Sequence, residues 1–413
     1  MWPAMPSRGG ALADLKVVDL SRVLAGPLCT QMLSDQGADV IKVEPPSGDE
    51  TRDLGPPFGA NGEAAYFGAL NRGKRGIALD LSQADARDIL HRLLANADVL
   101  VENFVPGTLE RWNLDYEQLA AQYPRLIVCT ITGFGGDGPL GSLPGYDAVL
   151  QAMCGLMSVN GDPESGPTRV GIPIVDHLTG YVAMTGILMA LQARHSTGRG
   201  QHVEATLFDT AISLLMPHAA NFLVSGKTPG LLGSAHPNIA PYDKYRASDG
   251  HVFIGILNDA QFRRLCRHLG REELASDERF ASNAQRLLHR EALKQSIEQS
   301  STTIEAVTLC DALMLIGVPA SPVNSVAQAI RHPHTAHRSM LVERGQHIGL
   351  RSPARLLGTP AEAGPAPPAF AQHANEILEQ LGLDPKRIAA LDQSGAAPSR
   401  RCSSHIKHRR QPS

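Results

Sequence analysis

Asp176 has the best setting for covalent chemistry. It sits in Thr168-Arg-Val-Gly-Ile-Pro-Ile-Val-Asp176-His-Leu-Thr-Gly, where a strand-like run gives way to a long apolar helical stretch. Ligand sites in parallel α/β sheets lie at the carboxyl ends of strands. A helix N-terminus adds free N–H groups and a positive dipole. Together these would keep a carboxylate ionised and stabilise an oxyanion beside it. Asp is equally a favoured N-cap, worth about 1 kcal/mol, so position alone leaves cap and nucleophile both open. Asp147, in Gly145-Tyr146-Asp147, opens another expected helix and has the same two readings. Tyr146 reads either as packing or as the polar-tipped wall of a pocket.

Other candidates are weaker. Gly133-Phe-Gly135-Gly136-Asp-Gly138 matches GxGxxG, but a dinucleotide site needs a helix opening directly behind it. Here Pro139-Leu-Gly141-Ser142-Leu-Pro144 continues as loop. Arg72, Lys74 and Arg75, with Lys42 and Arg111, form a basic group that would suit a phosphate ligand or is plain surface charge. His332, His334 and His337 share a polar loop without an acidic or Cys companion, which argues against a metal. The six cysteines are scattered with no CxxC pair, as in a reducing compartment without a disulfide framework or zinc site. A net charge of −3 argues against nucleic-acid binding, which favours strongly basic domains.

The elements that must position these residues alternate. Strands are expected at 16–20, 39–44, 76–81, 99–104, 126–132 and 202–208, and helices at 26–36, 84–96, 178–194 and 210–224. Gly37 supplies a helix stop. This rhythm implies a parallel sheet covered by helices on both sides. Near Gly226 the character changes to a hairpin over 236–256 and polar-faced helices at 259–269, 288–299 and 303–315. The reading is an α/β fold with a Rossmann-like large domain over 12–225, completed by 335–396, and a smaller α+β domain over 228–325. Residues 397–413 read as a disordered basic tail. The longest apolar run, Gly180 to Leu191, is short of the ~20 residues of a membrane span. No membrane association and no apolar export signal are expected, and the expected place is the cytoplasm.

A set of short motifs then carries a resemblance. They are Leu20-Ser-Arg22-Val-Leu-Ala25-Gly26-Pro27, Gly37-Ala-Asp-Val-Ile-Lys42-Val-Glu44, Asn71-Arg-Gly-Lys74-Arg75, Val101-Glu102-Asn103-Phe104-Val-Pro106-Gly107, Gly145-Tyr146-Asp147 and Thr197-Gly198-Arg199-Gly200. In this order and spacing, from about Leu12 to Ala396, the chain resembles the class III (CaiB/BaiF-type) CoA-transferases. The resemblance implies two chains interlocked as a homodimer and Asp176 as the nucleophile. It implies CoA contacts at Leu24 and Ala25, at Leu79, Asp80 and Leu81, at Asn103, Phe104 and Val105, at Arg111, and at Gly145, Tyr146 and Asp147. No permanently bound cofactor and no metal are implied, because the CoA thioester is itself a substrate.

Within that family the stretches Gly55-Pro-Pro-Phe58, His218-Ala-Ala-Asn221 and Gly233-Ser-Ala-His236 are most similar to succinate–hydroxymethylglutarate CoA-transferase. That implies succinyl-CoA as donor and a C5–C6 dicarboxylate as acceptor: hydroxymethylglutarate, glutarate, itaconate or citramalate. Arg169 and His236 are the expected holders of the free carboxylate, Arg by bidentate pairing. One rival is an α-methylacyl-CoA racemase of the same fold. Its relatives carry histidine where this chain has Tyr146, and a tyrosine of ordinary pKa about 10 is a poor base. The other rival is a non-catalytic CoA-binding protein. Pro45 and Ser82 depart from the basic residues that some relatives place near CoA, and the stretch from Leu231 to Tyr242 lacks the glycine run of the formyl-CoA:oxalate enzymes.

Overall fold

The computed structural model describes Trp2, residues 8–59 and residues 61–402. Six short β-branched runs form one parallel sheet: β1 (Lys16–Asp19), β2 (Asp39–Glu44), β3 (Arg75–Ala78), β4 (Val99–Glu102), β5 (Ile127–Thr132) and β6 (His202–Thr206). Their order across the sheet is β3-β2-β1-β4-β5-β6, with every neighbouring pair parallel. Most of their residues are buried, as strands covered on both faces require. The order reverses between β1 and β4. In such sheets the crevice beyond the strand ends at this switch is the ligand site.

The helices that matter for the crevice are α1 (Ala25–Asp35), α2 (Ala65–Leu70), α3 (Asp147–Met153) and α4 (Ile174–Thr197). α1 ends where Gly37 takes a φ of +103°. α4 is long and apolar enough to cross a membrane by length and composition. Two glycines instead press it into the body of its own unit. A Cβ on Gly180 would fall 2.8 Å from the Ala25 carbonyl oxygen, and one on Gly186 would fall 2.6 Å from Val203. The core of this unit joins sheet residues Val18, Ile41, Ile77, Leu100 and Val128 to Ile89, Leu90 and Leu93 of the helix Ala84–Leu94.

The chain divides into two compact units. One comprises the residues up to Cys154, Ile172–Ser213 and those from Ala336; the other comprises Gly155–Gly171 and Leu214–Thr335. Gly155–Gly171, expected in the large domain, belongs with the smaller unit, where Gly233 N–H donates to the Gly161 carbonyl at 2.8 Å. The expected helix at 210–224 is two helices, Leu207–Ser213 and His218–Ser225. Pro217 stands between them, and proline cannot continue a helical hydrogen-bond ladder. Asn221 and Asn238 then exchange side-chain amide bonds within the smaller unit. That unit carries the expected hairpin, Tyr242–Arg246 with His251–Gly255, packed on three helices through Val252, Ile254, Leu265, Leu293 and Leu309.

The stretch expected as a tail is held to the large unit as far as Cys402. Ala397 is buried, Arg401 pairs with Asp53, and Cys402 N–H donates to the Pro46 carbonyl. The remainder of that expected tail, 403–413, lies outside the described residues.

Candidate active site

The basic group of the sequence is not a phosphate site. Lys42, Arg72, Lys74 and Arg75 are each no more than 1 % exposed. They pair with Asp49, Asp35, Asp19 and Asp39 at 2.6–2.9 Å. Burial pulls the Lys74 ammonium down to about 8 against the pull of Asp19. Burial raises the Asp19 carboxyl, but Lys74 and Lys42 outweigh it and bring the group to about 2. These cations serve the fold. Only Arg111 of the original group is exposed, with one bond to Thr108.

What the buried pairs hold is the loop after β1. Lys42 Nζ donates to the Ser21 carbonyl at 2.9 Å while Asp49 Oδ1 accepts from Val23 N–H at 3.4 Å. Asn103, just past β4, donates to the Arg22 carbonyl and accepts from Arg22 N–H, both at 2.8 Å. The loop is thereby tied on three consecutive residues. That grip maintains Val23 at a φ of +67°, a costly region for a β-branched residue. Asn103 therefore spends its side-chain amide on the loop. Sequence reasoning saw Asn103 but not this use of it.

The crevice at the switch point is an open cleft of about 810 Å³, solvent included. Leu24, Ala25, Asn103, Phe104, Val105, Gly145, Tyr146 and Asp176 line it. Tyr146 is 69 % exposed. Gly145 lies against Gly133, where a Cβ would meet backbone at 2.8 Å, so the glycine run serves close packing of two loops. Leu79 and Leu81 are buried beyond the end of β3, and Asp80 closes a turn with Ser82 and Gln83. These three and Arg111 are not among the cleft-lining residues. Arg169 is exposed in the smaller unit. His236 lies there too, its Nδ1 accepting from Asn238 N–H and its ring edge-on to Tyr242.

Asp176 is neither at a strand end nor an N-cap. The run before it is irregular, α4 begins at Ile174 with Pro173 as cap residue, and Asp176 is in the first turn. The cap function falls to Asp147. Its buried carboxylate accepts from Val175 N–H at 2.8 Å and Asp176 N–H at 3.2 Å, and from Gln151 at 2.6 Å. The α4 donors expected to soothe Asp176 are thus already engaged. Burial, and then repulsion from Asp147, push the Asp176 carboxyl up to about 7. Tyr66 on α2 shares this field. Burial first, then Asp176 and Asp147, push its phenol to about 12, so it remains a hydrogen-bond donor. No sequence signal singled out Tyr66.

This is a half-buried carboxylate, without hydrogen-bonding partners to its oxygens among the described residues, facing a cleft in an α/β sheet. It fits a nucleophile whose charge is discharged on acylation. CoA-transferase family III matches residues 12–374. The chain belongs to that family. It is similar to a succinate–glutarate CoA-transferase of Agrobacterium fabrum, 40 % identical over 388 residues, covering 91 % of this chain and 97 % of the relative. It is similar to an acetyl-CoA:oxalate CoA-transferase of Acetobacter aceti, 40 % identical over 358 residues, covering 86 % and 91 %. A crystal structure of a CaiB/BaiF family protein from Brucella suis superposes with a TM-score of 0.83 at 44 % identity, covering 90 % of this chain and 100 % of that one. As a family III CoA-transferase the protein is an enzyme that transfers CoA, and the CoA thioester is a substrate.

Two expectations follow from the site. With Asp176 as the attacking group in its ionised form, kcat/KM for the acyl-CoA donor should be flat above about pH 7 and fall about tenfold per unit below it. A profile flat to pH 5 would show that Asp176 is not raised in the free enzyme. Gly180→Ala should drive α4 away from the Ala25 carbonyl and cost about 1–3 kcal/mol of stability. Because Asp176 rides one turn earlier on α4, kcat should also fall, by about tenfold. Thermal unfolding and steady-state kinetics on one preparation check both.

Proposed function

We propose that the protein moves CoA from succinyl-CoA to a second dicarboxylate, with Asp176 as carrier. The observation that carries this is the placement of the Asp176 carboxylate in the switch-point cleft, without a hydrogen bond to its oxygens among the described residues. An Asp176 oxygen attacks the thioester carbon, the C–S bond breaks, and CoA leaves as thiolate, giving a mixed anhydride. The thiolate returns to the aspartyl carbonyl and releases succinate, giving an aspartyl-CoA thioester. The acceptor carboxylate attacks that carbonyl, and the thiolate finally takes the acceptor acyl group from the new anhydride. Each step exchanges one acyl–oxygen or acyl–sulfur bond for another, with no net proton or electron consumed.

Further relatives are named for succinyl-CoA with mesaconate, glutarate or D-citramalate. Their acceptors, like oxalate in the Acetobacter relative, are dicarboxylates. Glutarate and citramalate fall in the C5–C6 range expected from the motifs. Leu24, Ala25, Phe104, Val105, Gly145 and Tyr146 are proposed as the CoA-facing wall. Leu79, Asp80, Leu81 and Arg111 are proposed as contacts to the nucleotide end, with Arg111 as the exposed cation among them. The interlocked homodimer is proposed as well. α4 leaves Tyr181, Val182, Leu188 and Met189 38–63 % exposed, a surface that a second copy would cover.

The test is CoA exchange followed by mass spectrometry, with succinyl-CoA, acetyl-CoA and an equimolar panel of dicarboxylates and monocarboxylates. New dicarboxylyl-CoA species that draw on succinyl-CoA are expected. Exchange from acetyl-CoA alone would overturn the donor, and exchange into monocarboxylates alone would overturn the acceptor class.

A further inference from the structure

Arg22 lines the same cleft as Asp176, and its guanidinium is only partly used. Nη1 pairs with Glu50 at 3.0 Å, and Nε is buried without a hydrogen-bond partner. Nη2 has no bond among the described residues. Glu50 therefore holds one end of the guanidinium, and Nη2 is the donor left over on a side chain that is still about a third exposed. A guanidinium nitrogen in this state can donate a charge-assisted bond to a carboxylate.

The backbone beneath is not free to drift. Asn103 holds both Arg22 N–H and C=O, and the guanidinium lies 5.9 Å from the Phe104 ring centre. The position also suits a short ligand. Ala25 is three residues on, at most about 11 Å along the chain, and it is in contact with Gly180. Asp176 is one helical turn, about 6 Å, from Gly180. Arg22 and Asp176 line one cleft, and the backbone between their anchors is short. The diphosphate of CoA lies a whole pantetheine arm away from a thioester carbon at Asp176.

We propose that the Arg22 guanidinium, through Nη2, binds the distal carboxylate of the dicarboxylyl group whose other end reacts at Asp176. This rests on the dicarboxylate reading above and names its specificity residue. A succinyl donor and a dicarboxylate acceptor occupy this position in turn, so one arginine serves both halves of the exchange.

Arg22→Met and Arg22→Lys are the test, with glutarate and the length-matched monocarboxylate valerate as acceptors. In Arg22→Met the ratio of kcat/KM for glutarate to kcat/KM for valerate should fall about 10–100-fold, and kcat/KM for succinyl-CoA should fall with it. Arg22→Lys, which keeps charge but not the planar guanidinium, should recover only part. Saturation-transfer NMR of glutarate with the unmodified enzyme, lost in Arg22→Met, gives a readout independent of turnover. Equal losses for glutarate and valerate, or unchanged glutarate binding, would overturn the role of Arg22. An unmodified enzyme that moved no CoA from succinyl-CoA but still bound glutarate through Arg22 would instead overturn the donor assignment alone.

Discussion

Asp176→Ala should abolish CoA transfer, lowering kcat by at least about 10⁴-fold, and Asp176→Asn should do the same while making the protein harder to unfold. Both effects follow from one carboxylate held at about 7 by burial and by Asp147. An unfolded aspartate titrates near 3.9. Above pH 7 the folded chain must ionise a group in a place that disfavours charge, and the unfolded chain bears no such cost. Three units correspond to about 4 kcal/mol; partial solvent access brings the expectation nearer to about 2 kcal/mol. The penalty is complete above pH 7, shrinks as pH falls through that value, and vanishes below the unfolded pKa. The melting temperature of Asp176→Asn should therefore exceed that of the unmodified protein most at pH 8, with the gap narrowing toward pH 5. A second readout is covalent. After succinyl-CoA is added, a mass increment on the protein, removed by hydroxylamine, should form only with Asp176 present. An asparagine variant that retained transfer would dismiss Asp176 as carrier.

Asp147→Ala should be the next most damaging change. It removes a buried acceptor of three hydrogen bonds, two of them from the start of α4. The stability loss should be about 2–4 kcal/mol. The first turn of α4, with Asp176 on it, loses its anchor, and kcat should fall about 100-fold. Asp147→Asn separates charge from shape. It keeps an acceptor for the α4 N–H groups and removes the repulsion, so the acid limb of the kcat/KM profile should move below 7 with less loss of stability. If the limb stays at 7 in that variant, burial alone raises Asp176 and the pairing of the two carboxylates is incidental.

The sheet was legible because each strand is a short β-branched run separated by helical spacing or turn residues. That is why strands beginning at Lys16, Asp39, Val99 and His202 appear where expected. The kink at Pro217 was equally open to reading, yet apolar content masked it. The site divides differently. Asp176 and Asp147 were visible as candidates, but the cap reading left open for each falls away: neither caps its own helix, and Asp147 caps the helix that carries Asp176. That relation joins residues 28 and 29 positions apart, which no local pattern encodes. The basic group failed for the same reason. Asn71-Arg-Gly-Lys-Arg reads as surface charge in isolation, but its partners Asp35, Asp19 and Asp39 lie 37, 55 and 36 positions away. Arg22 was quoted within a motif without a role, because a guanidinium donor left over beside an ion pair exists only in three dimensions.

Asp147's hold on the start of α4 has one more consequence. With those N–H groups taken, the Asp176 oxygen is more comfortable covered than bare, and two things can cover it: a proton or an acyl group. Acid then behaves as a competitive inhibitor of the acyl donor. High donor concentration should displace the proton, so the apparent pKa seen in kcat should lie below the one seen in kcat/KM. Acidity and carboxylate metabolism would meet at a single atom, with the rate of CoA exchange falling as pH drops and recovering as thioester accumulates.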